Sequence, residues 1–233
     1  MADKEALHRA LAQYARTLMH DYNVGDLLYQ LTDQVVSVLD VAGAGVSLGG
    51  PDGRLQFVTA TDERVVRLEE QQMESMEGPC HNAYHSGDQI LVTDLNRVGY
   101  WPSYAPVALK VGCQAVAGIP MRVEDQRIGA LNLYADLPRK WVQEDIEAAQ
   151  LLADMATGYI VNARELQQSR QLAEQLQQAL NTRVVIEQAK GMLAERRGVD
   201  PEEAFDILRD YARSQNRRLH EVARAVVQSA LRL

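Results

Sequence analysis

Only two cysteines, Cys80 and Cys113, occur in 233 residues. That excludes a disulfide framework and the small secreted folds that depend on one. No stretch approaches the roughly 20 apolar residues that a membrane-spanning helix needs. The opening residues, Met1-Ala2-Asp3-Lys4-Glu5, are charged where a secretory signal would be apolar. The expected location is therefore the cytoplasm. Also missing are a glycine-rich phosphate loop, a Gly-x-Ser-x-Gly elbow and a His-Glu-x-x-His pair. No catalytic residue and no cofactor is assigned, and the chain is expected not to be an enzyme.

What is present points to a globular protein. The apolar share of 46% is ordinary for a folded protein. The net charge of −8 is unevenly spread. Residues 1–180 hold 14 Lys and Arg against 24 Asp and Glu, a balance of −10. Residues 181–233 hold 10 against 8, a balance of +2. A mildly basic tail on an acidic body suits contact with a polyanion through a local patch.

Apolar spacing at Leu7, Ala10, Leu11, Tyr14, Ala15 and Leu18 predicts a first helix within residues 2–20, and a second is predicted over Val24–Leu39. Strands are predicted at Ala44–Leu48 and Leu55–Ala60, joined across Gly49-Gly50-Pro51-Asp52-Gly53. Residues 62–74 read as a helix. So does Pro79–Ser86, entered through Gly78-Pro79 and ended at Gly87. A short strand at Ile90–Val92, a helix near 103–111 and two strands at Gln114–Arg122 and Arg127–Tyr134 follow. From Trp141 to Leu180 there is no proline and only one glycine, Gly158. Leu152, Tyr159, Leu166, Ala173 and Leu180 recur every seven residues; Met155 and Leu176 fit the intermediate positions, whereas Asn162 and Ser169 do not. This predicts a long helix, either a plain connector or one strand of a dimeric coiled coil.

After it come three short apolar stripes. They are Val185, Ile186, Ala189, Met192 and Leu193; then Ala204, Phe205, Leu208 and Ala212; then Leu219, Val222, Ala223, Val226 and Val227. Gly198 and Asp200-Pro201 mark a helix end and a capped helix start. Three stripes and two tight turns predict a three-helix bundle with these residues as its core. Gly191 costs a helix roughly 0.5–1 kcal/mol relative to alanine, which points to close helix packing ahead of close approach by a ligand.

Two resemblances are carried by these residues. Val184-Val185-Ile186-Glu187-Gln188-Ala189-Lys190-Gly191, Glu203-Ala204-Phe205, Leu208-Arg209 and Glu221-Val222-Ala223 resemble the ANTAR domain, the RNA-binding antitermination module of bacterial regulators. Upstream, Glu77-Gly78-Pro79-Cys80, Val92-Thr93-Asp94-Leu95, Ala117-Gly118-Ile119-Pro120 and Ile128–Tyr134 resemble a GAF sensor domain. Together they imply an α+β GAF domain, its antiparallel sheet flanked by helices, followed by a long helix or coiled coil and an all-α three-helix ANTAR bundle. The divisions are an N-terminal helix over 1–21, the GAF domain over 22–140, a connecting helix over 141–180 and the ANTAR domain over 181–233.

The ANTAR resemblance implies binding of RNA hairpins in nascent transcripts and prevention of termination. It assigns RNA contact to Arg183, Lys190, Arg209, Arg213, Asn216 and Arg218. The bland alternative is a solvated face with ion pairs such as Glu187–Lys190 and Asp206–Arg209. The GAF resemblance implies a small-molecule effector in a pocket lined by Cys80, Ala83, Trp101, Tyr104, Ala108, Val111 and Ala115. Alternatively, Trp101 and Tyr104 simply cover the sheet. Cys80 at a helix start suits either a reactive thiol or, preferentially, a buried structural one. His81 and His85 share a helix face without further ligands to complete a metal site. A homodimer through the connecting helix is expected. The rival functions are a GAF-regulated protein-interaction module and a DNA-binding regulator.

Overall fold

The computed structural model describes residues 2–17, 22–228 and 231. Leu18 of the first stripe and the ends of the expected N- and C-terminal segments lie outside those residues. The chain divides into two compact units, Met1–Ala163 and Arg164–Leu233.

The first unit contains helices α1 (Lys4–Thr17) and α2 (Val24–Leu39), strands β1 (Gly43–Gly49) and β2 (Leu55–Ala60), and helices α3 (Glu63–Ser75) and α4 (Pro79–Ser86). Strand β3 (Ile90–Val92), a 3-10 turn at Leu95–Arg97, helix α5 (Ala105–Lys110) and strands β4 (Ala115–Val123) and β5 (Gln126–Ala135) complete the order. The 3-10 turn is one element that the sequence reading lacks. Side chains set the helix starts: Asn23 accepts from the amides of Gly25 and Asp26, and Asp62 from those of Arg64 and Val65. Asp94 starts the 3-10 turn in the same way, through the Asn96 amide.

The five strands form one sheet, ordered β2-β1-β5-β4-β3, with antiparallel neighbours throughout. Helices cover both of its faces, so β4 and β5 read as almost continuous buried runs. Ala44, Val46, Ala117, Ile119, Leu131 and Leu133 face α1, α2 and the start of a long helix, α6 (Gln143–Arg197). That start contributes Ile146, Ala149, Leu152, Ala153, Ala156, Tyr159 and Ile160 to the same core. Alternate strand residues face α3, α4 and α5. Gly118 leaves room there for the Pro79 carbonyl of α4, which any Cβ would strike.

Leu152 and Tyr159 are therefore sensor-core residues, not positions of a coiled-coil seam. The heptad reading is corrected accordingly: the exposed apolar row begins at Leu166 and continues through Leu172, Leu176 and Leu180 to Val184.

The second unit packs the end of α6 with α7 (Pro201–Ser214) and α8 (Leu219–Val227) around Ala189, Leu193, Ala204, Leu208, Ala212, Val222, Ala223 and Val226. Asp200 caps α7 through the amides of Glu202 and Glu203. Gly198, at φ 68°, makes the left-handed turn that ends α6.

Arg139 ties α2 to the beginning of α6. Its guanidinium donates to the Leu39 and Asp40 carbonyls at 2.6 and 2.7 Å and to buried Asp145 at 2.9 Å. Removing one member of a buried pair strands the other charge. Arg139→Ala is expected to destabilise the first unit by about 3 kcal/mol, measured by denaturation followed through fluorescence of Trp101 and Trp141. A loss below about 1 kcal/mol would show the ion pair to be dispensable.

Candidate nucleic-acid interface and sensor site

In the second unit the basic residues of α7 follow the helix repeat. Phe205, Arg209 and Arg213 stand four residues apart, so they form a single row along α7. The row ends at Asn216, which occupies the left-handed region at φ 48° in the turn into α8. Asparagine tolerates that conformation better than most side chains. Arg217 closes the turn by donating its amide to the Ala212 carbonyl at 2.8 Å. Arg218 occupies the N-cap of α8 with its side chain exposed.

Lys190 approaches the row from α6. Its ammonium lies 5.5 Å from the centroid of the Phe205 ring, and the Arg209 guanidinium lies 5.9 Å from it. Both cations also have carboxylate neighbours, Glu187 at 3.0 Å and Asp206 at 2.7 Å. Arg183 lies seven residues before Lys190 on the same helix face and is exposed.

The sensor unit holds a different arrangement under α3, α4 and α5. The Glu69 carboxylate is fully buried and accepts hydrogen bonds from neutral donors. Asn132 Nδ2 donates at 2.8 Å, Ser47 Oγ at 3.1 Å and Tyr134 OH at 2.7 Å. Gln72 extends the network. Its Nε2 donates to Tyr134 OH at 3.0 Å, and its Oε1 accepts from the Cys80 amide at 2.8 Å. Gly45 makes the approach possible, because a Cβ there would collide with the Glu69 carboxylate. Two buried polar atoms beside this network, Tyr104 OH and Asn132 Oδ1, have no hydrogen-bond partner among the described residues. The loop over Tyr104 contains Trp101, a bulky residue at φ 73° and a point of backbone strain. Glu77 holds that loop by accepting from the Ser103 amide and hydroxyl at 2.8 and 3.2 Å.

Comparison with known proteins places these two arrangements. The family model described as GAF domain matches residues 23–160, and the one described as ANTAR domain matches residues 174–227. The chain belongs to the GAF family. Its C-terminal segment is an ANTAR domain. A nitrate regulatory protein from Klebsiella oxytoca is 40% identical over 94 residues, 40% of this chain and 24% of that protein. The chain thus spans about a quarter of that relative. A domain of a putative two-component sensor histidine kinase protein from Sinorhizobium meliloti shares the fold at a TM-score of 0.55 and 18% identity, over 65% of this chain and 99% of that one. GAF3 from Slr1393 of Synechocystis, in its photoproduct state, shares it at 0.53 and 18%, over 63% and 98%.

The GAF residues named from sequence fall in three apolar clusters. Trp101, Tyr104 and Ala108 belong to one apolar cluster, with Val111 packed against it, while Cys80 and Ala83 form another with Ala130. Ala115 points to the opposite face of the sheet, into the α2 and α6 core. Strand alternation requires this, since its neighbour Val116 faces α5. The polar members Glu69, Gln72, Asn132 and Tyr134 were missed. Their signal was faint: a polar Asn132 between two core leucines in a buried strand.

Burial, together with the Glu69 charge, pushes the Cys80 thiol well above its ordinary value. That is opposite to what a reactive thiol at a helix start requires. Burial likewise raises Cys113 to about 12. His81 and His85 stack at 4.1 Å, and burial together with its neighbour lowers the pKa of His81. Among the described residues no group of three or more His, Cys, Asp or Glu is placed to hold a metal. None of their helices is long and apolar enough to cross a membrane.

Two ANTAR expectations also change. Phe205 is half-buried and is not among the described residues packed on the bundle core. A Cβ at Gly191 would meet nothing within 4 Å, so no packing among the described residues calls for that glycine.

Burial raises Glu69 to about 7, outweighing the donors that lower it. The folded state therefore holds this proton more tightly than the unfolded chain does. The resulting stability is complete below about pH 4.5 and is lost as pH rises through about 7, a span of about 3 kcal/mol. Glu69→Gln is expected to remove this slope in thermal melts of the full chain between pH 5 and pH 8. An unchanged slope would place the titrating group elsewhere.

Proposed function

We propose that the protein is a signal-responsive RNA-binding regulator without turnover of its own. Its ANTAR domain holds hairpins in nascent transcripts and prevents termination, and its GAF domain receives a small-molecule signal. The observation that carries this reading is the row of Arg209, Arg213 and Asn216 on one edge of the ANTAR domain, with Lys190 beside it. Guanidinium groups pair two-pronged with phosphate and stack on splayed bases, the chemistry by which RNA loops are commonly read. The regulatory name of the Klebsiella relative supports the same role.

The ion pairs of Lys190 and Arg209 do not oppose it. Their carboxylates are more than half exposed, so a phosphate can compete with them, although the Lys190 side chain itself is only 19% exposed. The partner site in the GAF domain is supported by the two orphaned polar atoms and by the strained Trp101 loop. Strain of this kind collects at binding and switching segments.

Pairing of two copies is supported by α6. Every residue from 164 to 181 is exposed, including Leu166, Leu172, Leu176 and Leu180. An isolated helix of that length is marginal in water, and a second α6 would cover its leucines. Sedimentation of the full chain is expected to give a dimer that Leu176→Glu with Leu180→Glu dissociates. A wild-type monomer at micromolar concentration would remove this part of the proposal.

The RNA reading is tested by titrating the full chain with a synthetic RNA of two tandem hairpins. Affinity is expected to fall steeply with salt, because phosphate contact releases counterions. Arg213→Ala is expected to weaken binding at least tenfold. Asp206→Asn, which frees Arg209, is expected to strengthen it several-fold. Tighter binding to duplex DNA than to looped RNA would turn the reading to a DNA-binding regulator. Binding to neither would leave protein interaction as the ANTAR output.

A further inference from the structure

The geometry points to Phe205 as a stacking platform for one unpaired RNA base, with Lys190 and Arg209 as the cations that clamp the adjoining phosphates. This deepens the RNA reading above and rests on it. It goes beyond basic residues meeting a polyanion, because it assigns an aromatic face to a base.

Four observations converge. Phe205 is one of only two phenylalanines in the chain, so the sequence rarely uses this side chain. Its ring is half-buried and stands apart from the bundle core, which is built from Ala189, Leu193, Ala204, Leu208, Ala212, Val222, Ala223 and Val226. Burial in that core therefore does not account for it. The ring instead has Lys190 Nζ over it at 5.5 Å and the Arg209 guanidinium at 5.9 Å, both within reach of its π-electrons. Finally, Gly191, next to Lys190, is exposed and open, with nothing within 4 Å of where a Cβ would stand. A glycine inside a helix is destabilising, and no neighbour among the described residues requires its small size. It leaves clear the ground next to Lys190, where an external body can come close.

A planar base fits this place. Base–aromatic stacking is tolerant of sequence, and flanking cations add attraction to both the π-face and the phosphates. Bases become available in this way only where they are unpaired, so the site selects loops over duplex stems. Glu187 and Asp206, the carboxylates beside the two cations, are the partners a phosphate displaces when RNA arrives.

The test uses the full chain and a synthetic RNA of two tandem hairpins whose loop adenines are replaced one at a time by 2-aminopurine. A second RNA set carries an abasic residue at each of those positions. Phe205→Leu fills similar volume without a π-face, whereas Phe205→Tyr keeps one. Wild type is expected to quench 2-aminopurine at one loop position. Phe205→Leu should bind roughly 5- to 150-fold more weakly and lose the quench, and Phe205→Tyr should keep both. The abasic residue at that position should weaken wild type by a similar factor and leave Phe205→Leu unaffected, since both changes remove the same contact. Circular dichroism of each variant shows that the helices remain folded.

Normal affinity and quenching in Phe205→Leu would overturn the assignment while leaving the RNA reading intact. So would a loss of affinity that is additive with the abasic change. Failure of wild type to bind any looped RNA would instead overturn the RNA reading itself.

Discussion

One continuous helix has to satisfy two separate cores, and the rest of the structure follows from that constraint. From Gln143 to Arg197, α6 contains no proline, and its only glycines are Gly158 and Gly191. Its first third buries Ile146, Leu152, Ala156 and Ile160 in the GAF domain, and its last turns bury Ala189 and Leu193 in the ANTAR bundle. Between them, residues 164–181 are exposed all round. Both cores therefore draw on one backbone. Under the proposed function, this shared backbone is the means by which an event in the sensor reaches the RNA-binding edge.

The two ends use polar groups in opposite ways. In the GAF domain a carboxylate is withdrawn from water without a cation. It is held by Ser47, Asn132 and Tyr134, and desolvation raises its proton affinity. Such a network carries a large cost when incompletely satisfied, and here two neighbouring polar atoms are unpaired. In the ANTAR domain the cations stay near the surface, tethered by weak ion pairs that an anionic ligand can replace. The first arrangement fixes a structure and makes it sensitive to protons. The second leaves side chains ready to change partners.

Much of the architecture was legible because local chemistry and tertiary packing agree. Asn23, Asp62 and Asp200 cap helices that apolar spacing had already indicated, and Gly87 and Gly198 end helices in the left-handed turn that glycine favours. The sites were harder to read. Glu69 shares the buried face of α3 with Val65, Leu68 and Gln72, but the donors that make room for a carboxyl there, Ser47, Asn132 and Tyr134, lie on strands distant in sequence. Ala115 was assigned to the wrong face of its strand, since a run buried on both sides gives no alternation to follow. Leu152 and Tyr159 continued a seven-residue rhythm but serve a globular core. Phe205 fitted the apolar stripe of α7 by spacing, yet its ring has Lys190 of α6 and Arg209 of its own helix over it. In each case the missing information is the identity of a residue distant in sequence.

The most direct test of the central claim is crosslinking of the intact protein to RNA in living cells, followed by sequencing of the bound fragments. The account predicts enrichment of tandem short hairpins lying just ahead of terminators, with crosslinks in the loops. Crosslinks scattered over transcripts without regard to hairpins, or absent from RNA altogether, would contradict it.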